Sequence, residues 1–290
     1  LGKIGNNIAL NLLSKEYEIV VYNRSPKAVK KITEAGAIPS YSLKEFSENL
    51  RGEKIVLLTI TAGKAVDEII NKLIPFLSKK DIIIDGGNSY YKDSIKRYNL
   101  LRKKGFNFLD MGISGGLKGA RYGASLVMGG DKEIFRKTEF IFKDLAVKDG
   151  YAYLGKSGAG HFAKMIHNAI EYGILEVYGE GFELLEKSPY HFDYSALVRS
   201  WNHGSVIRSW LLELIEGIFI KNPKLKGIKG IIGGGETGRW AHKFALKKDV
   251  EDSILKHALQ KRKISEKKQS FSTQLISALR HEFGGHEIKN

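Results

Sequence analysis

Four polar residues at helical spacing could do chemistry together. Lys164, His167, Asn168 and Glu171 stand at i, i+3, i+4 and i+7 within Gly160-His161-Phe162-Ala163-Lys164-Met165-Ile166-His167-Asn168-Ala169-Ile170-Glu171-Tyr172. One helix face would carry them over roughly 10 Å. Phe162, Met165, Ile166, Ala169, Ile170 and Ile174 cover the remaining faces, and a helix that is apolar nearly all round is expected to be buried. Burying Lys, His and Glu is unfavourable by several kcal/mol unless partners or a ligand compensate. One reading is a Lys–Glu pair that fixes packing, but Lys164 and Glu171 lie two turns apart, too far for a simple i,i+4 bridge. The other is acid–base chemistry: a desolvated lysine has a lowered pKa and can act as a base, and a glutamate in the same pocket can donate a proton.

Two glycine-rich segments follow consecutive strand-like runs. Asp85-Gly86-Gly87-Asn88-Ser89 and Gly112-Ile113-Ser114-Gly115-Gly116 stand where parallel sheets usually contact ligands. Each read alone is a turn; two in succession favour a site. The chain opens Leu1-Gly2-Lys3-Ile4-Gly5-Asn6 before an apolar helical run. That pattern is the tail of G-x-G-x-x-G without its first glycine and the strand before it, a motif that sets a pyrophosphate on a helix N-terminus. Asn23-Arg24-Ser25 ends the next strand, where NAD enzymes place an acidic residue on the ribose. Arg24 suits a 2′-phosphate, so NADP is favoured over NAD; the same residues also suit a plain turn.

The elements that must position these residues change character along the chain. Glu18–Tyr22, Ile55–Ile60, Asp81–Asp85, Phe106–Asp110 and Tyr151–Leu154 read as strands. Pro26–Ala35, Lys64–Leu77, Tyr91–Lys104 and Lys132–Leu145 read as helices between them. Beyond Gly158 only helical patterns follow: Gly160–Glu186, Asp193–Ser200, Ser205–Phe219, Gly238–Leu246, Val250–Lys261 and Phe271–Glu282. The expected fold is α/β then all-α. A doubly wound, Rossmann-like parallel sheet occupies 1–157, and a helical substrate and dimerisation domain occupies 158–290. A sheet lacking its first, central strand predicts that the numbered sequence starts inside a longer natural chain.

Composition excludes other classes. The 290 residues contain no cysteine, which removes disulfide scaffolds, thiolate nucleophiles and sulfur-ligated zinc. No apolar run reaches the length of a membrane span and no signal peptide is visible, so a cytoplasmic protein is expected. The formal net charge is +15, and residues 221–290 alone hold 16 Lys+Arg against 7 Asp+Glu. Without aromatic interleaving, that charge suits an anionic small molecule better than nucleic acid. A basic, non-catalytic binding protein is the reading of another class.

With these pieces assembled, the chain resembles the decarboxylating 6-phosphogluconate dehydrogenases, specifically their short form. The matching segments are Gly2–Asn11, Asn23–Ser25, Asp85–Ser89, Gly112–Gly130, Gly158–Gly173, Thr237-Gly238-Arg239-Trp240 and Arg280–His286. The Lys-x-x-His-Asn-x-x-Glu stripe is the specific part; related 3-hydroxyacid dehydrogenases, the runner-up reading, typically carry Lys-x-x-Asn-Asn and lack the Glu. The resemblance implies oxidative decarboxylation of 6-phosphogluconate to ribulose 5-phosphate, within the pentose phosphate pathway and gluconate utilisation. Lys164 would be the general base and Glu171 the acid. Asn88, Ser114, Gly115, Gly116, His167, Asn168 and Tyr172 would hold the sugar acid. Leu1, Gly2, Lys3, Ile4, Gly5, Asn23, Arg24, Ser25, Ile60, Thr61 and Ala62, with Asn88, would line the NADP site. Arg262 would take the substrate phosphate. Arg280 and His286 match tail residues that enter a neighbouring subunit's site, which implies a homodimer or higher homo-oligomer. No metal is required in this reading, because Lys164 supplies the positive charge. One departure concerns the phosphate: Gly235 stands where the family usually has a lysine. Either a ligand is lost or Arg239 or Lys263 takes its place.

Overall fold

The computed structural model describes residues 1–288 and forms two compact units, Leu1–Met165 and the chain from Ile166 onward. The first unit alternates strands and helices: α1 (Lys3–Leu13), β1 (Val20–Tyr22), α2 (Pro26–Thr33), β2 (Ile38–Ser40), α3 (Leu43–Asn49), β3 (Ile55–Leu58) and α4 (Lys64–Leu73). It continues with β4 (Ile82–Asp85), α5 (Tyr91–Lys103), β5 (Asn107–Ser114), α6 (Gly116–Tyr122), β6 (Ala124–Gly130), α7 (Lys132–Leu145) and β7 (Ala146–Tyr153). Ile82, Ile83 and Ile84 of β4 are all buried, as a strand covered by helices on both faces requires. The five expected strands form. Two more were not foreseen: β2 is short and contains a proline, and β6, Ala-Ser-Leu-Val-Met-Gly-Gly, is rich in small residues that read as a loop.

The sheet is mostly parallel, but β6 returns antiparallel to β5. It is also in two pieces, β1-β2 and β3-β4-β5-β6-β7. Between the unpaired edges of β1 and β3 lies a cavity of about 880 Å³, lined by Val20–Tyr22, Ile55–Leu58, Ile8 and Leu12 of α1, and Phe142 of α7. Two open ladder edges facing across an apolar void are the signature of a slot for one more strand.

The second unit is helical. It contains most of α8 (Ala159–Lys187), then α9 (Tyr194–Asn202), α10 (Trp210–Lys221), α11 (Glu236–Lys247), α12 (Ser253–Ser265) and α13 (Phe271–Gly284). Leu175 and Phe182, Val198, Ile215 and Phe219, and Leu275 and Leu279 form its core. The sequence pattern starts α10 at Ser205, but Ser209 accepts a hydrogen bond from the Leu212 amide and sets the start at Trp210. Nor is α8 buried on every side. Ile170, Ile174, Val177 and Leu184 are exposed, Leu184 at 74%, and their spacing makes one apolar stripe. No helix among the described residues is long and apolar enough to cross a membrane.

The slot yields a prediction. Fusing a five- or six-residue Val/Ile-rich strand ahead of Leu1 is expected to fill it. Leu1 N lies 2.9 Å from Asn23 Oδ1, so the added strand would enter beside the end of β1. Apolar burial less the entropy of ordering the strand leaves a gain of about 2–4 kcal/mol. A rise in Tm of roughly 5–15 °C in a thermal scan follows; an unchanged Tm would show that the slot does not take a strand.

Candidate active site

The first turn of α8 is fixed by buried polar groups of its own unit. The fully buried Asp110 of β5 accepts from the amides of Gly158 and His161 at 2.6 and 2.9 Å and from Ser157 Oγ at 3.2 Å. A carboxylate there satisfies open amides and meets the positive end of the helix dipole. His161 Nδ1 bonds Ser94 Oγ of α5 at 2.7 Å, and Phe162 packs edge-on against Tyr91. Helix and strand touch closely: a Cβ on Gly112 would lie 2.6 Å from Lys164 Cβ, and one on Gly160 would lie 2.6 Å from the carbonyl oxygens of Asp110 and Val127. Lys164 is thereby seated on β5, two residues before Ser114. After Ser114, Gly115 and Gly116 take φ values of 109° and 61° and lead into α6.

Arg97 of α5, absent from the sequence-based site, ties two loops of this unit together. Its guanidinium bonds Asp67 Oδ1 at 2.7 Å, the Gly63 carbonyl at 3.0 Å, and Asp85 Oδ2 and Ser89 Oγ at 3.2 Å each. Asp85 also accepts from Ser89 Oγ and the Gly87 amide. The loop carrying Asn88 is therefore held by its ends while Asn88 itself is exposed, and the segment of Ile60, Thr61 and Ala62 runs into the Gly63 carbonyl that Arg97 grips.

At the nucleotide end the residues fit a dinucleotide. Gly2 caps the 11-residue α1 without a side-chain bond, which leaves backbone amides at the helix start for a pyrophosphate. A Cβ on Gly5 would lie 2.3 Å from Thr59 Oγ1, so glycine lets α1 approach the end of β3. Asn23 accepts the Leu1 amine, and Arg24 and Ser25 are exposed at the end of β1.

In the second unit, His167, Asn168, Glu171 and Tyr172 follow along α8. His167 Nδ1 lies 3.3 Å from Asn168 Oδ1 and 3.9 Å from Glu171 Oε2. Tyr172 Oη and Asn168 Nδ2 both reach Thr237 Oγ1, at 3.1 and 3.5 Å. Thr237 lies in the first turn of α11, and the sequence had quoted it only as part of a motif. Across the Tyr172 ring sits Arg262 of α12, its Cζ 3.7 Å from the ring centroid. Arg262 is buried and donates Nη1 to the Gly233 carbonyl at 2.9 Å, while its Nε and Nη2 have no partner. Burial lowers its pKa.

Arg280 of α13 comes to the same place. Its Nη2 lies 3.1 Å from where a Cβ on Gly234 would be, and burial followed by repulsion from Arg262 pushes its pKa down to about 10. Within the chain it stands beside Arg262, because Leu275, Ile276, Ala278 and Leu279 bury α13 in the core of the second unit. His286 folds back on the helix end, exposed, with its ring 6.3 Å from that of Phe283 and its carbonyl oxygen 2.8 Å from His281 Nδ1. A buried carboxyl that the sequence did not single out, Glu176 of α8, has both oxygens unpartnered. Its pKa is pushed up to about 7, chiefly by burial and against the pull of Arg262 and Lys261.

Comparison with known proteins places this geometry. Residues 1–155 match the family described as "NAD binding domain of 6-phosphogluconate dehydrogenase", and residues 160–281 match "6-phosphogluconate dehydrogenase, C-terminal domain". YqeC of Bacillus subtilis (strain 168) is 44% identical over 99% of this chain and 96% of its own. A Haloferax volcanii protein named "6-phosphogluconate dehydrogenase, NAD(+)-dependent, decarboxylating" is 37% identical, with 99% and 96% covered. The solved Plasmodium falciparum 6-phosphogluconate dehydrogenase superposes with a TM-score of 0.80 at 32% identity; 90% of this chain matches 60% of that longer one. A 3-hydroxyisobutyrate dehydrogenase from Mycobacterium tuberculosis shares the fold, with a TM-score of 0.75 at 19% identity.

Glu176 sets a pH dependence. A carboxyl raised from 4.5 to about 7 binds more protons folded than unfolded between those values. Stability therefore falls as pH climbs through that window and stays lower above it. Glu176→Gln keeps the shape without the charge, and is expected to exceed the parent by roughly 1–3 kcal/mol at pH 8 and to differ little at pH 5. Denaturant midpoints at the two pH values check this, and an equal shift at both would reject it.

Proposed function

The chain belongs to the 6-phosphogluconate dehydrogenase family, and on that premise we propose that it oxidises 6-phosphogluconate at C3 with NADP. The C1 carboxylate leaves as CO₂ and ribulose 5-phosphate remains. The observation that carries this reading is the seat of Lys164 against Gly112 of β5, beside the Ser114-Gly115-Gly116 loop, with Glu171 two turns along the same helix.

Lys164 takes the proton of the C3 hydroxyl. NADP held at the end of β1 and the start of α1 would supply the hydride acceptor for that carbon. The product is a β-keto acid, and the ammonium now on Lys164 polarises its new carbonyl, so the electron pair of the breaking carbon–carboxylate bond is stabilised as an enediol. Glu171 then protonates the carbon that becomes C1 of the ketopentose. Asn88, Ser114, Gly115, Gly116, His167, Asn168 and Tyr172 hold the sugar acid, and Arg262 with Arg280 takes its phosphate. The exposed Arg24 pairs with the 2′-phosphate of NADP. We assign the enzyme to the cytoplasm as a homodimer in which a second copy covers Ile170, Ile174, Val177 and Leu184.

Purified protein given 6-phosphogluconate and NADP should raise absorbance at the reduced-nicotinamide band with one CO₂ trapped per turnover. Lys164→Ala is expected to lower kcat by about 10²–10⁴-fold, the range of a lost general base. Reduction without CO₂ would instead assign a 3-hydroxyacid dehydrogenase. For the cofactor, kcat/KM should favour NADP over NAD, and Arg24→Asp should cut the NADP value roughly 10–100-fold while sparing NAD. A parent that uses NAD at least as well would refute the role of Arg24.

A further inference from the structure

Around Gly233-Gly234-Gly235 three guanidinium groups come together, and the reading above employs two. The three glycines have consecutive positive φ of 63°, 67° and 106°, and Gly235 caps the 12-residue α11 without a side-chain bond. Successive amides in such a run line an anion-binding concavity at the positive end of a helix. The buried Arg262 reaches this loop with Nη1 and keeps Nε and Nη2 without partners, so the site is built with unmet donors. Arg280 stands over Gly234.

Arg239 is the third. It lies one turn into α11, and its side chain folds back toward the helix N-terminus, as helical side chains do. Its Nη1 lies 3.1 Å from the point where a Cβ on residue 235 would sit, and Arg262 Cδ lies 3.7 Å from the same point. The absence of a side chain at 235 is what leaves room for this guanidinium. The Arg239 guanidinium makes no hydrogen bond or ion pair among the described residues, and the residue is exposed, so its charge is open to a ligand. Lys263 is the other basic residue near the loop; it follows Arg262 on α12, about 100° around the helix, and is exposed there.

We propose that Arg239 is a specificity-determining residue that closes the phosphate subsite over Gly235, so that three arginines select a phosphorylated aldonate over the free sugar acid. The inference rests on the phosphorylated-substrate reading given above. A phosphate monoester dianion presents three terminal oxygens, which matches three guanidinium donors and the amides of the glycine run.

Arg239→Ala and Arg239→Lys test it in two ways. In steady-state turnover, Arg239→Ala should raise KM for 6-phosphogluconate ten- to fiftyfold with kcat changed less than threefold and KM for NADP unmoved; Arg239→Lys should recover most of the loss. By calorimetry without turnover, inorganic phosphate should bind the parent and bind Arg239→Ala at least fivefold more weakly. Turnover with an unchanged KM and unchanged phosphate binding, in a variant of parental Tm, would overturn the role of Arg239. A parent that binds phosphate through Arg239 yet turns over no 6-phosphogluconate would refute the assigned reaction and leave the subsite standing.

Discussion

The close seat of α8 on β5 is the constraint on which the rest depends. Three things make it: a fully buried Asp110 that accepts the amides opening the helix, and two glycines, 112 and 160, that remove the atoms which would hold the backbones apart. Neither part suffices alone. A buried carboxylate without the amides would be an uncompensated charge, and the amides without it would be unmet donors. Together they fix where the helix starts and how it is rotated, and rotation decides whether Lys164 or an apolar neighbour meets Gly112 of β5.

The second unit solves a different electrostatic problem. Arg262 and Arg280 are placed together and away from water, where like charges repel strongly. Packing on Tyr172, the carbonyl of Gly233 and the distant pull of Glu176 and Glu171 offset part of this. What is left over is positive charge held away from water, with two nitrogens of Arg262 that no group of the described residues accepts from.

Much of this was legible in the residue order. Helical spacing alone placed Lys164, His167, Asn168 and Glu171 on one face, and the alternation of apolar runs gave a Rossmann-like unit followed by helices. What the order hid depended on non-local pairing. Strand β6 forms from small residues because β5 offers it an edge, which no local propensity expresses. Asp110 read as the last residue of a strand, since its partners lie 47 to 51 positions away. Nothing in the order around Arg97 marks it out, since its four partners come from two distant segments, 63–67 and 85–89. The exposed stripe of α8 was mistaken for core because composition does not say which apolar face its own chain will cover.

The continuity of α8 has a mechanical meaning. The boundary between the two compact units falls inside this helix, after Met165, so it passes between Lys164 and Glu171. A loop at that place would make the spacing of these two side chains a fluctuating quantity. An unbroken helix makes it a ruler, graduated at 1.5 Å per residue, so that the positions of the two along α8 are kept in register by hydrogen bonds of the backbone.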